Sequence, residues 1–172
     1  MSAPTSLKEV YTDEIKDLWS ANDQMTKVLT TLNESVHDAK LKKHLTEALG
    51  GIGRHNETLM GLLKDAGVEV EKEHCKGMEG LCKEALKHGV KEAPEDGELK
   101  DIVIIGQYQR MCHYGITGFG SAKALAKALG MKEHVTKLEG IVGDIYGADE
   151  LTSQMGEKLA KAAVKHAAKA AG

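Results

Sequence analysis

The chain has 172 residues, which is enough for one domain with a substantial hydrophobic core. Its 23 basic and 26 acidic residues are interspersed and leave a net charge of −3, which argues against a nucleic-acid-binding surface. There is no signal-peptide pattern, no apolar run near the roughly 20 residues of a membrane span, and no zinc-type spacing among the three cysteines. Composition therefore predicts a single cytoplasmic domain over residues 1–172 that binds neither nucleic acid nor membranes.

Two long helices are predicted in the first part of the chain. Apolar residues recur every three or four positions from Ser6 to Leu32, and Ser6 and Glu9 have the spacing of a capping box. A second pattern of this kind runs from about Val36 to Ala66, and Gly67 is expected to end it. The short turn between the two patterns predicts an antiparallel pair of helices.

The middle of the chain is a long connection that contains its own helix. A charged connector at 68–76 is followed by a helical pattern over about 78–88, which Gly89 is expected to end. A loop rich in proline, glycine and acidic residues comes next, at 92–97. The connection is long enough to cross a helical bundle, so the helices on either side of it need not be neighbours.

Two further long helices complete the predicted fold. The third long helix is expected from Glu98 to about Leu129, where Gly130 stops it. The fourth starts at residue 131 or 132 and runs into an alanine- and lysine-rich end at about 157–171. Since there is no strand pattern, the predicted fold class is all-α: a four-helix bundle with one additional short helix in the crossover connection.

Three motifs carry a resemblance to a known family. Cys75–Leu81 is similar to a connector motif Cys-x-x-Met-Glu-Gly-Leu, Asp13–Ala21 to a first-helix signature, and Gln109–Gly120 to a third-helix motif. In this order and at nearly constant spacing, the chain resembles the YciE/YciF-type ferritin-like proteins, a bacterial and stress-associated family, up to about Ser153. The resemblance implies a ferritin-like bundle and a homodimer.

The metal-binding carboxylates that the resemblance implies are largely missing. The family's inward glutamates fall on other residue types here, namely Asn22, Gly51, Cys112, Gly115 and Ile145. His55 takes the place of a glutamine, and Asp144 is one acid that survives. A dimetal centre needs about four to six converging oxygen or imidazole ligands. We therefore expect no di-iron or di-manganese centre and no ferroxidase or catalase activity, and we interpret the protein as a non-enzymatic one.

Glycines are unusually frequent within the predicted helices. Each glycine inside a helix costs roughly 0.5–1 kcal/mol of stability relative to alanine, so their number calls for a structural explanation. Two interpretations stay open at this point. The glycines permit close helix packing, or they leave a hole where the glutamates of the family would stand. Gly115 on the third long helix and Gly143 on the fourth are the positions at which the two interpretations differ most.

The favoured hypothesis is a stress-associated binding protein with a glycine-walled pocket for an apolar small molecule, such as a tetrapyrrole. Eight residues are predicted to contact this ligand: Asn22, Gly51, His55, Tyr108, Cys112, Gly115, Gly143 and Asp144. One alternative is a metalloprotein with a reduced site made of His55, Cys112 and Asp144. Another is a structural stress protein that acts through its surface and dimer interface. A buried histidine or cysteine also occurs commonly as an ordinary core residue.

Overall fold

The computed structural model describes residues 3–69 and 73–170, and of Ala170 only the backbone. Within these ranges the chain forms α-helices, one π-helical turn and short connections, without a β-strand. The elements are α1 (Leu7–Glu34), α2 (Ala39–Asp65), α3 (Lys76–Leu86), the π turn (Lys87–Lys91), α4 (Gly97–Ala128) and α5 (Lys132–Ala170). The all-α fold and the short helix in the crossover are confirmed. Parts of the predicted connector and tail, residues 70–72 and 171, lie outside the described residues.

The helix starts follow local side-chain chemistry. At the start of α1, Ser6 Oγ accepts the backbone N–H of Glu9 at 3.2 Å, as predicted. The Glu9 carboxylate accepts chiefly from Thr5, and the backbone N–H of Ser6 also interacts with it, as the predicted capping box requires. α2 starts at Ala39 rather than at about residue 36, because Asp38 is its N-cap and accepts the N–H groups of the first turn.

Glycines end two helices as predicted and fail to end a third. Gly67 and Gly130 have φ values of +75° and +71°, the left-handed conformation that lets a glycine close a helix. The prediction that Gly89 ends the short helix is wrong, because α3 ends at Leu86 and Gly89 lies inside the π turn. A Cβ at Gly89 would lie 2.5 Å from Leu32 Cδ2, so this glycine permits a close approach to α1.

The long helices form two pairs. α1 contacts α2, and α4 contacts α5, each across a connection of a few residues, while α1 and α4 join the pairs. α2 and α5 touch each other only sparsely. The core falls into two apolar clusters, and Ile145 on α5 packs against both of them. No helix among the described residues is long and apolar enough to cross a bilayer.

Candidate ligand-binding cavity

A cavity of about 340 Å³ lies in the bundle, and all five helices contribute to its wall. Most of the wall is apolar, formed by Leu18, Ala21, Met25, Ile52, Met78, Met111 and Ile145. Its exposed lining residues belong to α2 and α5, whereas its α1 and α4 walls are largely buried. The mouth of the cavity is therefore the seam between α2 and α5, where the two helices make few contacts.

The structure brings seven of the eight predicted site residues to this cavity. They are Asn22, Gly51, His55, Tyr108, Cys112, Gly115 and Asp144. Gly143 is the exception: it is exposed, and apart from its chain neighbours and the local helix backbone no atom lies within 4 Å of the place where a Cβ would stand. The prediction of Gly143 rests on its place among the glycines of α5, whereas the residues of this helix that line the cavity are Asp144, Ile145, Gly147, Ala148 and Leu151.

The glycines within the helices occur for more than one structural reason. A Cβ at Gly118 would lie 2.6 Å from Leu18 Cδ2, so this glycine permits close packing of α4 on α1. Gly115 borders the cavity, and its Cβ would lie 3.4 Å from Ile145 Cδ1. Gly53 and Gly143 face open space, so neither of the two interpretations explains them. The glycine wall is therefore limited to a few positions, chiefly Gly51 and Gly115.

Asn22 carries the most informative polar group of the cavity. Its side chain is only 7% exposed, on the α1 wall opposite the mouth. Its Nδ2 is buried and has no hydrogen-bond partner. Leaving a buried donor unpaired costs about 1–3 kcal/mol. A group that bears this cost inside a cavity is suited to bind an acceptor on a ligand.

Two histidines of α2 bridge the seam to α5 on either side of the mouth. His55 Nε2 lies 3.1 Å from Asp144 Oδ2. His44 Nε2 lies 2.8 Å from Thr152 Oγ1, and because this hydroxyl donates to the Ala148 carbonyl, it accepts from His44. Sequence reasoning missed the second bridge, whose partners are 108 residues apart.

Burial favours the neutral forms of three titratable groups of the wall. It raises the pKa of the Cys112 thiol to about 12 and raises the pKa of Tyr108 above its ordinary value. Burial also lowers the pKa of His44. Cys112 is therefore a thiol rather than a reactive thiolate, and the charged lining residues Glu47, Arg54 and Asp144 are at the exposed mouth.

The residues present do not fit a dimetal centre. No group of three histidine, cysteine, aspartate or glutamate side chains in the described ranges lies close enough together to hold a metal ion. In the alternative set His55, Cys112 and Asp144, His55 is hydrogen-bonded to Asp144, and the three side chains are not among any group close enough to hold a metal ion. These three side chains therefore do not form a three-ligand set in the described structure.

A second polar cluster closes the cavity on the α3 side. Asp17 Oδ2 accepts from the Tyr114 hydroxyl at 2.9 Å and from the Cys75 thiol at 3.2 Å. Cys75 also caps α3 by accepting the N–H of Met78 at 3.4 Å. The cluster fastens α3 to α1 and α4 and so holds Met78 in the cavity wall. The three residues lie one in each of the three motifs that carry the family resemblance, but the sequence alone does not show that they meet.

Comparison with known proteins identifies the family. A family model described as a domain of unknown function (DUF892) matches residues 6–168. The chain belongs to this family. It is 29% identical over 132 residues to Protein YciF of Escherichia coli strain K12, over 74% of this chain and 76% of that protein. The resemblance to YciE/YciF-type proteins is therefore confirmed.

Solved structures show the same fold. The crystal structure of the Escherichia coli stress protein YciF matches with a TM-score of 0.86 at 23% identity, over 92% of this chain and 99% of that one. YcfI from Rhodopseudomonas palustris matches with a TM-score of 0.83 at 24% identity, over 89% and 98% of the two chains. These likenesses support the helical bundle fold.

Proposed function

We propose that this protein is a non-enzymatic, stress-associated binding protein that holds one small, mostly apolar molecule in the cavity between its helices. The observation that carries the proposal is the unpaired Asn22 Nδ2 on the buried side of a mostly apolar wall. An unpaired buried donor destabilises the fold, so it is not expected in a cavity that is only a packing defect. A ligand acceptor would offset that cost.

The size and chemistry of the cavity support a modest ligand. Its volume of about 340 Å³ is at the lower end of the 300–1,000 Å³ typical of small-molecule sites. This favours a molecule of one or two rings over the tetrapyrrole suggested by the sequence. His55 is also engaged with Asp144 at the mouth, rather than held as a free axial ligand.

The stress association is transferred from a relative. The Escherichia coli homologue is called a stress protein, and the two chains share the family and the fold. We further propose that this chain is a homodimer, as the family resemblance implies. Large apolar side chains exposed on α5, Tyr146 at 56% and Val164 at 71%, make this helix a candidate contact surface.

Native mass spectrometry of the protein purified from its own host tests the proposal. We expect a bound organic mass that denaturation releases and that Gly51→Leu, which fills the cavity at the mouth, removes. Gly53→Leu is the matched control, because Gly53 is on the same helix and faces open space.

Two other results would each favour an alternative function. About one tightly bound metal ion per chain, found by elemental analysis and lost in His55→Ala, would favour the metalloprotein hypothesis. A protein with neither a bound organic molecule nor a metal would favour a structural role through the surface and the dimer interface.

A further inference from the structure

We infer that the cavity selects a neutral aromatic molecule of one or two rings that carries a hydrogen-bond acceptor, such as a ketone. This inference rests on the proposed function, because it specifies the chemistry of the molecule that the cavity would bind. Three independent features of the wall point to this class: its sulfur content, its aromatic side and the charge of the groups around Asn22.

Sulfur-bearing side chains are concentrated in the wall. Met25, Met78 and Met111 line the cavity, which is three of the seven methionines in the chain, and Cys112 adds a fourth sulfur. All four residues are buried. Thioether sulfur is polarisable and makes favourable contacts with the edges of aromatic rings, an attraction that an aliphatic chain does not receive.

An aromatic side chain forms part of the same wall. The ring of Tyr108 lies on α4, and the His44 ring meets it edge-on at a centroid distance of 6.1 Å and an angle of 84°. Edge-to-face arrangements of this kind are the preferred geometry between aromatic rings. A planar ligand in the cavity can therefore join an existing aromatic contact as well as the sulfur contacts.

The polar groups of the wall favour a ligand with a neutral hydrogen-bond acceptor over a ligand with a carboxylate. Asn22 Nδ2 is a donor without a partner, so it requires an acceptor atom. The cationic side chain in the lining, Arg54, is on α2 in the exposed mouth, whereas Asn22 is on the buried α1 wall. A carboxylate would have to shed far more hydration than a ketone oxygen to reach this buried wall, so a ketone is favoured there.

Fluorescence of 6-propionyl-2-(dimethylamino)naphthalene, an aromatic ketone, tests the inference. Its emission should shift to shorter wavelength when it binds the parent protein and should not shift with Gly51→Leu. Three competitors are then compared by displacement: 2-acetonaphthone, 2-ethylnaphthalene, which lacks the acceptor, and 2-nonanone, an aliphatic ketone. We expect 2-acetonaphthone to bind about tenfold more tightly than 2-nonanone.

Variants separate the two sources of selectivity. In Asn22→Leu, the affinity ratio of 2-acetonaphthone to 2-ethylnaphthalene should fall about tenfold, because one hydrogen bond is lost. The double variant with Met25→Leu and Met111→Leu keeps the side-chain volume of the wall. In this variant the ratio of the affinity for 2-acetonaphthone to the affinity for 2-nonanone should be smaller than in the parent. Asn22→Ala repeats the first test if Asn22→Leu does not fold.

Each outcome bears on a different claim. If the probe binds but both ratios are the same in parent and variants, the inference is overturned while the proposed function stands. If neither the probe nor any competitor binds the parent, and the native mass spectrum shows no bound molecule, the inference and the proposed function both fail. Equal binding to Gly51→Leu and to the parent would place the probe outside the cavity and would also overturn the inference.

Discussion

Asn22 is the single residue on which the interpretation of the cavity depends most. Its amide donor is buried in an apolar wall without a partner, so the folded protein bears a desolvation cost there. Leucine has a similar shape and no polar atom. We therefore expect Asn22→Leu to raise the free energy of unfolding by about 1–2 kcal/mol, measured by urea denaturation.

The same substitution should weaken binding of the aromatic ketone, so stability and binding would change in opposite directions. Such a trade-off is typical of polar groups retained for function. A lower free energy of unfolding for Asn22→Leu would show that the amide is satisfied in the folded state and would remove the main support for a ligand acceptor at this position.

His44 and His134 are predicted to make the stability depend on pH. Burial lowers the pKa of both, so their neutral forms are favoured in the folded state. His134 Nδ1 lies 2.8 Å from the Tyr11 hydroxyl and can accept a hydrogen bond from it only while the imidazole is neutral. The charged groups around His134 are Asp65, Lys137 and Glu133.

Because these folded-state pKa values lie below the unfolded value of about 6.5, the stability they contribute is present above that pH. It is lost as the pH falls through the folded-state values. We expect the free energy of unfolding to decrease from pH 7.5 to pH 5.5, and the decrease to be smaller in the double variant His44→Gln, His134→Gln. Equal decreases in the free energy of unfolding of the parent and of this variant would show that His44 and His134 do not cause the pH dependence.

At the scale of the helices, glycine substitutions distinguish the cavity from the exposed surface. Gly143→Leu on α5 should raise the free energy of unfolding by up to about 0.8 kcal/mol, because leucine favours the helix and Gly143 faces open space. Gly115→Leu on α4 should place its side chain in the cavity and abolish binding of the naphthyl ketone probe.

Thermal denaturation and probe fluorescence on both variants are the measurements. Gly143→Leu is the control, since it should change stability and leave probe binding intact. Loss of stability in Gly115→Leu by roughly 1–3 kcal/mol would instead indicate overpacking against Ile145, whose Cδ1 lies 3.4 Å from the position that a Cβ at Gly115 would take. That result, with unchanged probe binding, would favour close helix packing as the reason for this glycine.

At the scale of the whole molecule, the prediction is a homodimer. Sedimentation at micromolar concentration should give twice the chain mass of 18.5 kDa. If α5 forms the interface, Tyr146→Glu should shift the equilibrium toward the monomer, because a buried unpaired carboxylate opposes association. Met60→Glu, at an exposed apolar residue of α2, is the matched control. A monomer at all concentrations would contradict the proposal.

The sequence by itself determined the helices and most of their ends. Periodicity gives each apolar face, and local chemistry explains the Ser6 cap and the stops at Gly67 and Gly130. Seven of the eight predicted site residues lie at the cavity, and most of them are predicted because the family resemblance implies inward metal ligands at those positions.

Only the tertiary structure decided how these faces meet. The rotation of α5 against its neighbours turns Gly143 to solvent and Gly147 to the cavity, a difference too fine for periodicity alone. The His44–Thr152 bridge and the unpaired Asn22 amide depend on contacts between residues far apart in the chain. A helical pattern specifies which side of one helix is apolar, whereas hydrogen bonding and empty space depend on several helices packed together.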